Sequence, residues 1–292
     1  MDLSLTLDAE SQGVGLSLNI TNTVRDHRLR IGFNTGYRTD TCYAGQPFDI
    51  LARTPNPMPE DGRNRDEPNN GMLCVEGPEH GIAVFNKGLY EYEYPAEQQG
   101  HVALTLVRAN NRLSAGAAPH KEFSLPGNQC QRELAYELWI RPYQNDYLSA
   151  GIMAEAKSFH NPLLSVFQPV DRKKFTGGRP AVQDSDIKEH FYRPLPFPDI
   201  VLPLSGQFFE ILGEQIQLSA LKRGEDDAML VLRLWHAGQT DSAFGLRFQQ
   251  PLKRAAQLNL NEETLRDLPV KDLTISNIPI KSREIITLGV WM

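Results

Sequence analysis

Pairs of carboxylates are the residues of this chain that could carry hydrolytic chemistry, because two of them flanking a glycosidic bond can cleave it. Three acidic groups occur: Glu91 with Glu93, Asp184 with Asp186, and the run from Glu225 to Asp227. Glu91 and Glu93 alternate with tyrosines, which predicts a solvent-facing strand edge rather than a catalytic pair. The other two groups fall in a proline-rich segment and a polar hairpin turn, where surface positions are the simpler interpretation.

Metal and nucleophile motifs are missing from the sequence. The seven histidines are scattered, and they form no His-x-Asp pair. No local sequence motif therefore predicts a metal site. His120-Lys121-Glu122 comes nearest, and a loop histidine is the preferred interpretation of it. No Gly-x-Ser-x-Gly elbow and no phosphate-binding glycine motif is present. The residues alone therefore indicate a protein without a self-contained active site.

The composition predicts a soluble globular chain. Of its 292 residues 40% are hydrophobic, and the formal net charge is -6, which gives no reason to expect nucleic acid or an anionic membrane as a partner. We expect the basic run 172–174 to be a solvated loop. No apolar run reaches the length of a membrane span, and Met1 is followed by Asp2 rather than by a signal segment.

The cysteines point to a reducing compartment. Cys42, Cys74 and Cys130 are an odd number with wide spacing and without a Cys-x-x-Cys motif. Neither a disulfide framework nor a thiolate zinc site is therefore expected. A cytoplasmic location fits best.

The stretch from Gly81 to Arg108 is the element around which the first half is organised. Ile82 to Phe85 and Val102 to Val107 are short, apolar and β-rich, and the segment from Leu89 to Tyr94 alternates. Three neighbouring strands are therefore predicted. Before them, alternating leucines at 3–7 and at 16–20 predict an opening hairpin, and the proline-rich segment 53–70 is long enough to overhang a site.

The remainder predicts a second, smaller β-domain. A helix should begin near Asn145 or Asp146 and run to Phe159, because apolar residues recur there at helical spacing. We expect a β-domain at 1–160, a proline-rich connector packed on it at 161–205, and a β-sandwich at 206–292. Six strands are predicted in this sandwich, namely Phe208–Ile211, Ile216–Leu221, Met229–Trp235, Phe244–Phe248, Gln257–Leu260 and Ile285–Val290.

A family resemblance adds to this reading. His27 to Phe33, Gly81 to Asn86 followed by two tyrosines, and Leu104 to Arg108 resemble successive motifs of the C-terminal β-domain of glycoside hydrolase family 38 α-mannosidases. Ser219 to Leu234 and Ile278 to Leu288 are similar to its later strands. The similarity covers most of the chain in the right order. Among the subfamilies, the cytoplasmic bacterial type that includes mannosylglycerate hydrolase is the most similar.

The resemblance implies a retaining α-mannosidase with an aspartate nucleophile and a zinc ion in a preceding catalytic domain. It also implies a supersandwich like that of galactose mutarotase at 1–160, with its first strands before Met1. This chain lacks the His-x-Asp metal motif and the whole catalytic region. We therefore expect a C-terminal portion that binds no zinc itself, is inactive alone, and has the catalytic domain, an α-mannoside and a second copy of itself as partners.

Three residues are candidates for the rim of the sugar pocket. The family places an arginine near the substrate at the end of the strand that Arg108 ends, and a forked cation suits sugar hydroxyls or a carboxylate. A surface ion pair is an equally good interpretation of Arg108. Tyr43 and Asn86 are weaker candidates, for which core or turn packing is preferred.

The alternative is an independent carbohydrate-binding or protein-interaction module. Such modules stack exposed aromatic side chains on sugar rings, whereas Trp139, Trp235 and Trp291 lie in apolar strands where core positions are expected. This favours an enzyme fragment. A domain that packs on a missing partner should then expose an apolar patch.

Overall fold

The computed structural model describes residues 1–60, 65–111, 126–165, 205–225 and 228–292. Several features named above lie outside these residues, namely His120 to Glu122, the run 172–174, Asp184 with Asp186, Asp226 with Asp227, and most of the 161–205 connector. Among the described residues, no helix is long and apolar enough to cross a membrane.

The elements of the first half are mostly strands. In chain order they are β1 (Asp2–Thr6), β2 (Val14–Thr21), β3 (Arg28–Asn34), β4 (Cys42–Gln46), β5 (Asp49–Arg53), β6 (Glu67–Pro68), β7 (Met72–Glu76), β8 (His80–Asn86), β9 (Glu91–Glu93), β10 (His101–Arg108), a 3-10 helix (Pro126–Gln129), β11 (Glu133–Gln144) and α1 (Ile152–His160).

These strands form two antiparallel sheets that pack as a sandwich. The larger has the order β1-β2-β11-β8-β7-β4-β5 and the smaller the order β3-β10-β9-β6. Apolar side chains alternate along the strands, and both sheets contribute them to one core that contains Leu16, Leu18, Leu73, Tyr92 and Leu104. The predicted opening hairpin is confirmed, because β1 pairs with β2 in continuous register.

The prediction of three neighbouring strands between Gly81 and Arg108 is wrong. β8 belongs to the larger sheet, whereas β9 and β10 pair in the smaller one. The chain crosses between the sheets at a tight turn, in which Gly88 has a φ of 75° and the side chain of Asn86 accepts the amide of Leu89 at 3.1 Å. Periodicity cannot show this crossing, because the strands on both sides of it are buried.

The predicted helix starts too early. Asp146 does cap a turn, since its carboxylate accepts the amides of Leu148 and Ser149 at 2.9 Å each. Gly151 then adopts a left-handed φ of 70°, which an α-helix cannot contain. The α-helix therefore begins at Ile152.

The second half forms another antiparallel sandwich. Its strands are β12 (Phe209–Leu212), β13 (Ile216–Arg223), β14 (Leu230–His236), β15 (Ser242–Phe248), β16 (Arg254–Leu258), β17 (Thr264–Leu268), β18 (Val270–Lys271), β19 (Thr274–Ile280) and β20 (Ile285–Trp291). One sheet has the order β12-β15-β19-β18 and the other β13-β14-β20-β16-β17. The predicted mainly β class, a large sandwich followed by a smaller one, is confirmed; the exact domain boundaries stay a prediction.

Helix α1 joins the two sandwiches. Its buried residues Ile152 and Ala156 share a core with Phe85 of the first sandwich and Trp235 of the second. Lys157 Nζ donates to the carbonyl of Leu218 across the same junction. The helix therefore lies on the outer side of the larger sheet, and the outer side of the smaller sheet is the opposite face of the first sandwich.

Candidate functional site

Charged side chains cover the outer side of the smaller sheet of the first sandwich. We call this surface the charged face, and it consists of Arg28, Arg30, Arg65, Asp66, Glu91, Glu93 and Arg108. Its members come from β3, β9, β10 and the segment that leads into β6. Four cations and three carboxylates therefore meet on one side of one sheet.

Strand alternation produces most of this arrangement. Along β3, Arg28 and Arg30 point outward, because Leu29 and Ile31, which alternate with them, pack against the core. A β-bulge in β10 adds the last member. The register with β3 shifts between Thr105 and Val107, so that the residue after Val107, Arg108, lies opposite Arg28 on the outer side.

Ion pairs link the members of the charged face. Arg28 pairs with Asp66, and its Nη1 lies 3.4 Å from Glu91 Oε1. Glu93 binds two cations, one from Arg30 and one from Arg65. The network therefore fixes the segment before β6 on the sheet.

The centre of the network is buried. The side chains of Glu93 and Asp66 are only 6% and 8% exposed. Burial, followed by the neighbouring Glu91 carboxylate, raises the pKa of Asp66, and Arg28 opposes that shift. The expectation of a solvent-facing edge for Glu91 and Glu93 is thus wrong, because β9 lies between β10 and β6.

Arg108 lies at the rim of this network. Its Nη1 donates to Glu91 Oε2 at 2.6 Å, and its side chain is 46% exposed. Thr105 Oγ1 holds the other oxygen of Glu91 at 2.8 Å. A guanidinium has five N–H donors, so an arginine oriented in this way can bind a hydroxyl or a carboxylate while it keeps its ion pair.

Tyr43 and Asn86 lie elsewhere. Tyr43 packs its ring 4.8 Å from that of Tyr147 in the cluster beside α1, and burial raises its pKa. Asn86 is fully buried, and its amide nitrogen donates to Asn69 at 3.0 Å. Both residues belong to the larger sheet, so the structure does not bring them together with Arg108.

The sequence contained a partial signal for the charged face. The Arg-x-Arg of β3 and the Glu-x-Glu of β9 are both period-2 patterns, and each sets its charges on one side of a strand. What could not be inferred is that both strands flank β10 in one sheet. Arg65 and Asp66 carried no signal, because they lie in an irregular segment.

Two hollows lie away from the charged face. A cavity of about 290 Å³ between the sandwiches is lined by residues that include Phe48, Lys157 and Trp235. A wider depression of about 620 Å³ at one end of the larger sheet includes Tyr37, His80 and Arg141. Neither contains a set of acidic or metal-binding side chains, and no group of three or more such residues able to hold a metal occurs among the described residues.

Comparison with known proteins gives a family match for the second sandwich and a distant relative for the whole chain. Residues 215–288 match the model of the glycosyl hydrolases family 38 C-terminal beta sandwich domain. A relative from Halalkalibacterium halodurans named "Putative mannosylglycerate hydrolase" is 25% identical over 287 residues, which are 97% of this chain and 28% of the relative.

Solved structures share the fold over almost the whole chain. An α-mannosidase from Enterococcus faecalis has a TM-score of 0.75 and 22% identity, over 99% of this chain and 28% of its own. A glycosyl hydrolase family 38 protein from the same species gives 0.73 and 22%, over 99% and 29%. The chain thus spans less than a third of the length of these proteins.

The second sandwich therefore matches the family 38 C-terminal beta sandwich domain, and both sandwiches share the fold of these solved proteins. As a whole, the chain resembles part of an α-mannosidase and of a relative named as a mannosylglycerate hydrolase, as its sequence motifs predicted.

Proposed function

We propose that this chain is the non-catalytic C-terminal portion of a retaining α-mannosidase. It supplies a scaffold for the catalytic domain and part of the rim of the sugar pocket. The observation that carries the proposal is the coverage: both sandwiches match a solved α-mannosidase over 99% of this chain and only 28% of that protein. The substrate is an α-mannoside, and mannosylglycerate is the specific candidate because the curated relative bears that name.

The described residues do not fit a zinc site. No group of three or more histidine, cysteine or acidic side chains able to hold a metal ion occurs among them, and the buried carboxylates Asp66 and Glu93 are paired with arginines. Zinc, if the longer enzyme uses it, is bound by residues other than these. Catalysis is assigned to the preceding domain, and a cytoplasmic setting agrees with the free thiols of Cys42, Cys74 and Cys130.

Arg108 is the residue that we assign to the pocket rim. The ion pair with Glu91 at 2.6 Å fixes one side of the guanidinium. It orients the remaining donors, so less side-chain conformational entropy is lost when a ligand binds. A hydrogen bond from a charged donor contributes about 1.5–3 kcal/mol. Its loss in the transition state would slow the reaction about 10- to 100-fold.

The test is hydrolysis of a chromogenic α-mannoside, with and without added zinc, by this chain and by the longer protein that contains it. We expect turnover by the longer protein only. Zinc-stimulated turnover by the 292 residues alone would overturn the proposal.

The second measurement concerns Arg108 in the longer enzyme. Arg108→Ala should lower kcat/KM about 10- to 100-fold, and Arg108→Lys should recover only part of it because a lysine lacks the fork. Arg247→Ala, which removes an exposed arginine of the second sandwich, is the matched control and should leave kcat/KM unchanged. Equal kinetics for the Arg108 and Arg247 variants would remove Arg108 from the rim.

An independent carbohydrate-binding module is less well supported. Trp235 is buried, Trp139 and Trp291 are partly buried, and none of the three offers a flat exposed platform for a sugar ring. Binding of mannose by this chain alone, lost on substitution of an aromatic residue, would favour that alternative.

A further inference from the structure

The cavity of about 290 Å³ between the sandwiches is a candidate binding site of its own. Its walls come from three parts of the chain, namely the turn between β4 and β5, one side of helix α1, and the paired strands β13 and β14. A volume of this size lies at the lower limit of small-molecule sites, about 300 Å³. The cavity therefore suits a ligand of few atoms.

The turn between β4 and β5 provides an aromatic wall. Gln46 pairs with Asp49, so Pro47 and Phe48 form a two-residue turn. Phe48 has a φ of 61°, in the left-handed region where glycine or asparagine usually follows a turn proline. Its side chain packs with the cluster that contains Trp235, and both side chains line the cavity. The strained backbone thus places an aromatic ring at the cavity, and such strain is common at binding sites.

Lys157 of α1 provides a cation without a counter-charge. Its Nζ donates to the carbonyl of Leu218, but an ammonium has three donors. Burial lowers the pKa of Lys157, and no carboxylate among the described residues forms an ion pair with it. Asp49 also lines the cavity, but it binds Arg283 at 3.3 Å. A positive charge is therefore partly removed from water, and an anion in the cavity would compensate it.

Two glutamines add uncharged polar groups to the wall. Gln46 Nε2 donates to the carbonyl of Pro68 at 2.6 Å, which leaves Oε1 as an acceptor that faces the cavity side of the turn. Gln217 lies opposite Trp235 in the β13–β14 pair, so both side chains are on the same side of the sheet. Amide groups exchange hydrogen bonds with hydroxyl groups. One cation and a few amides among apolar walls are the usual composition of a small-molecule site.

We propose that this cavity binds a small hydroxycarboxylate. The carboxylate would bind the remaining donors of Lys157, and the hydroxyl groups would bind the amides of Gln46 and Gln217. The carbon atoms would pack on Phe48 and Trp235. A neutral sugar would leave the ammonium without a counter-charge, and inorganic phosphate would leave the aromatic wall uncovered. The site is independent of the proposed function, because none of these residues belongs to the charged face.

Isothermal titration of this chain with sodium glycerate tests the proposal. Glycerol, which has the same three carbons and no charge, and inorganic phosphate are the comparison ligands at equal ionic strength. We expect a Kd of about 1 mM or lower for glycerate, and binding of the other two that is at least about tenfold weaker. Absence of glycerate binding would overturn the proposal. Equal binding of glycerol or of phosphate would also overturn it, because the site would then ignore the charge or the carbon skeleton.

Lysine variants test the role of the cation. Lys157→Met should weaken glycerate binding at least about tenfold, because a charged hydrogen bond is lost, and Lys157→Arg should retain part of the affinity. Lys253→Met is the matched control, since Lys253 Nζ also donates to a backbone carbonyl, that of Met292 at 2.8 Å, but on the exposed surface. This control should bind glycerate like the wild type. Equal affinities of the two methionine variants would exclude Lys157 from the site and overturn the proposal.

Phe48→Asn separates binding from folding. Asparagine adopts a positive φ more readily than phenylalanine, so the turn should be kept while the aromatic wall is lost. We expect a native circular dichroism spectrum and an affinity for glycerate lowered about threefold or more. Unchanged affinity in this natively folded variant would overturn the proposed contact with the carbon atoms.

The longer protein that contains this chain gives the last arm. Glycerate binding that is weakened by Lys157→Met should persist there, and a second binding event that this substitution leaves unchanged belongs to another site. If no binding in the longer protein depends on Lys157, other polypeptide fills the cavity and the proposal is wrong.

Discussion

The two sandwiches treat their charged residues in opposite ways. On the charged face of the first, Glu93 is buried and binds two arginines, and Asp66 is nearly as buried. In the second, the Arg247–Glu210 and Arg254–Asp267 pairs are largely exposed to solvent.

The difference shows where charge determines conformation. An exposed pair is screened by water and contributes little, whereas a buried carboxylate without its partner is costly. The charged face therefore fixes the segment before β6 and orients Arg108, whereas the Arg247–Glu210 and Arg254–Asp267 pairs of the second sandwich lie on its surface. Substitutions that remove equivalent charges from the two regions should separate these roles.

Glu93→Gln should have the largest effect. The substitution leaves Arg30 and Arg65 near a neutral amide in a buried position, and breaking such a pair costs about 3 kcal/mol. The free energy of unfolding in urea measures it. Asp267→Asn, which removes the exposed partner of Arg254, is the control and should cost less than about 0.5 kcal/mol. Equal losses would mean that burial does not distinguish the two regions.

The contributions of Asp66 and Glu262 to the free energy of unfolding should change with pH in opposite directions. Burial raises the pKa of Asp66, so its stabilising contribution is complete below its unfolded pKa and is lost as the pH rises through the folded value. A hydrogen bond from Lys222 lowers the pKa of Glu262, so its contribution is present above its unfolded pKa and is lost as the pH falls through the folded value.

Urea unfolding between about pH 3 and 7 of the wild type, Asp66→Asn and Glu262→Gln resolves the two slopes. The stability of the wild type relative to Asp66→Asn should decrease as the pH rises, and relative to Glu262→Gln it should increase. Parallel slopes would contradict the assignment of burial as the dominant influence on Asp66.

Arg108→Ala should have a modest effect on stability. Its side chain is 46% exposed and one ion pair is lost, so we expect a cost of at most about 1 kcal/mol. That cost is too small to unfold the longer enzyme, and the kinetic loss proposed above would then reflect substrate binding. A loss of several kcal/mol would instead make Arg108 a structural member of the network.

Sequence patterns predicted the strands better than their assembly. The leucines of β1 and β2 predicted a hairpin because one buried side imposes a period of two. Between Gly81 and Arg108 the strands were predicted correctly, but all three were assigned to one sheet. Buried strands on either side of the point where the chain passes from one sheet to the other have the same apolar sequence pattern. The predicted strands of the second sandwich omitted β17 to β19, whose turns contain left-handed residues such as Asp272 and Leu273 instead of glycine.

The site was predictable only in part. The family resemblance selected Arg108, yet Glu91, which orients it, and Arg28, which lies opposite it, become its neighbours through sheet pairing and a one-residue bulge. A bulge has no reliable sequence signal, because it inserts one residue of any type. Leu3, Leu5 and Leu7 are exposed at one edge of the larger sheet, and nothing in their alternation showed that they would lie uncovered; the large apolar patch stays a prediction.

The smallest effects should fall within the second sandwich itself, where two exposed arginines differ in one contact. Arg254 lies 4.4 Å above the ring of Trp291 and also pairs with Asp267, whereas Arg247 has an exposed pair with Glu210 at 3.1 Å. A cation above an exposed aromatic ring adds about 0.5–1 kcal/mol. Arg254→Ala should therefore cost about 1 kcal/mol and Arg247→Ala less than about 0.5 kcal/mol, measured by urea unfolding. Equal stability of the two variants would show that the stacking of Arg254 on Trp291 contributes nothing.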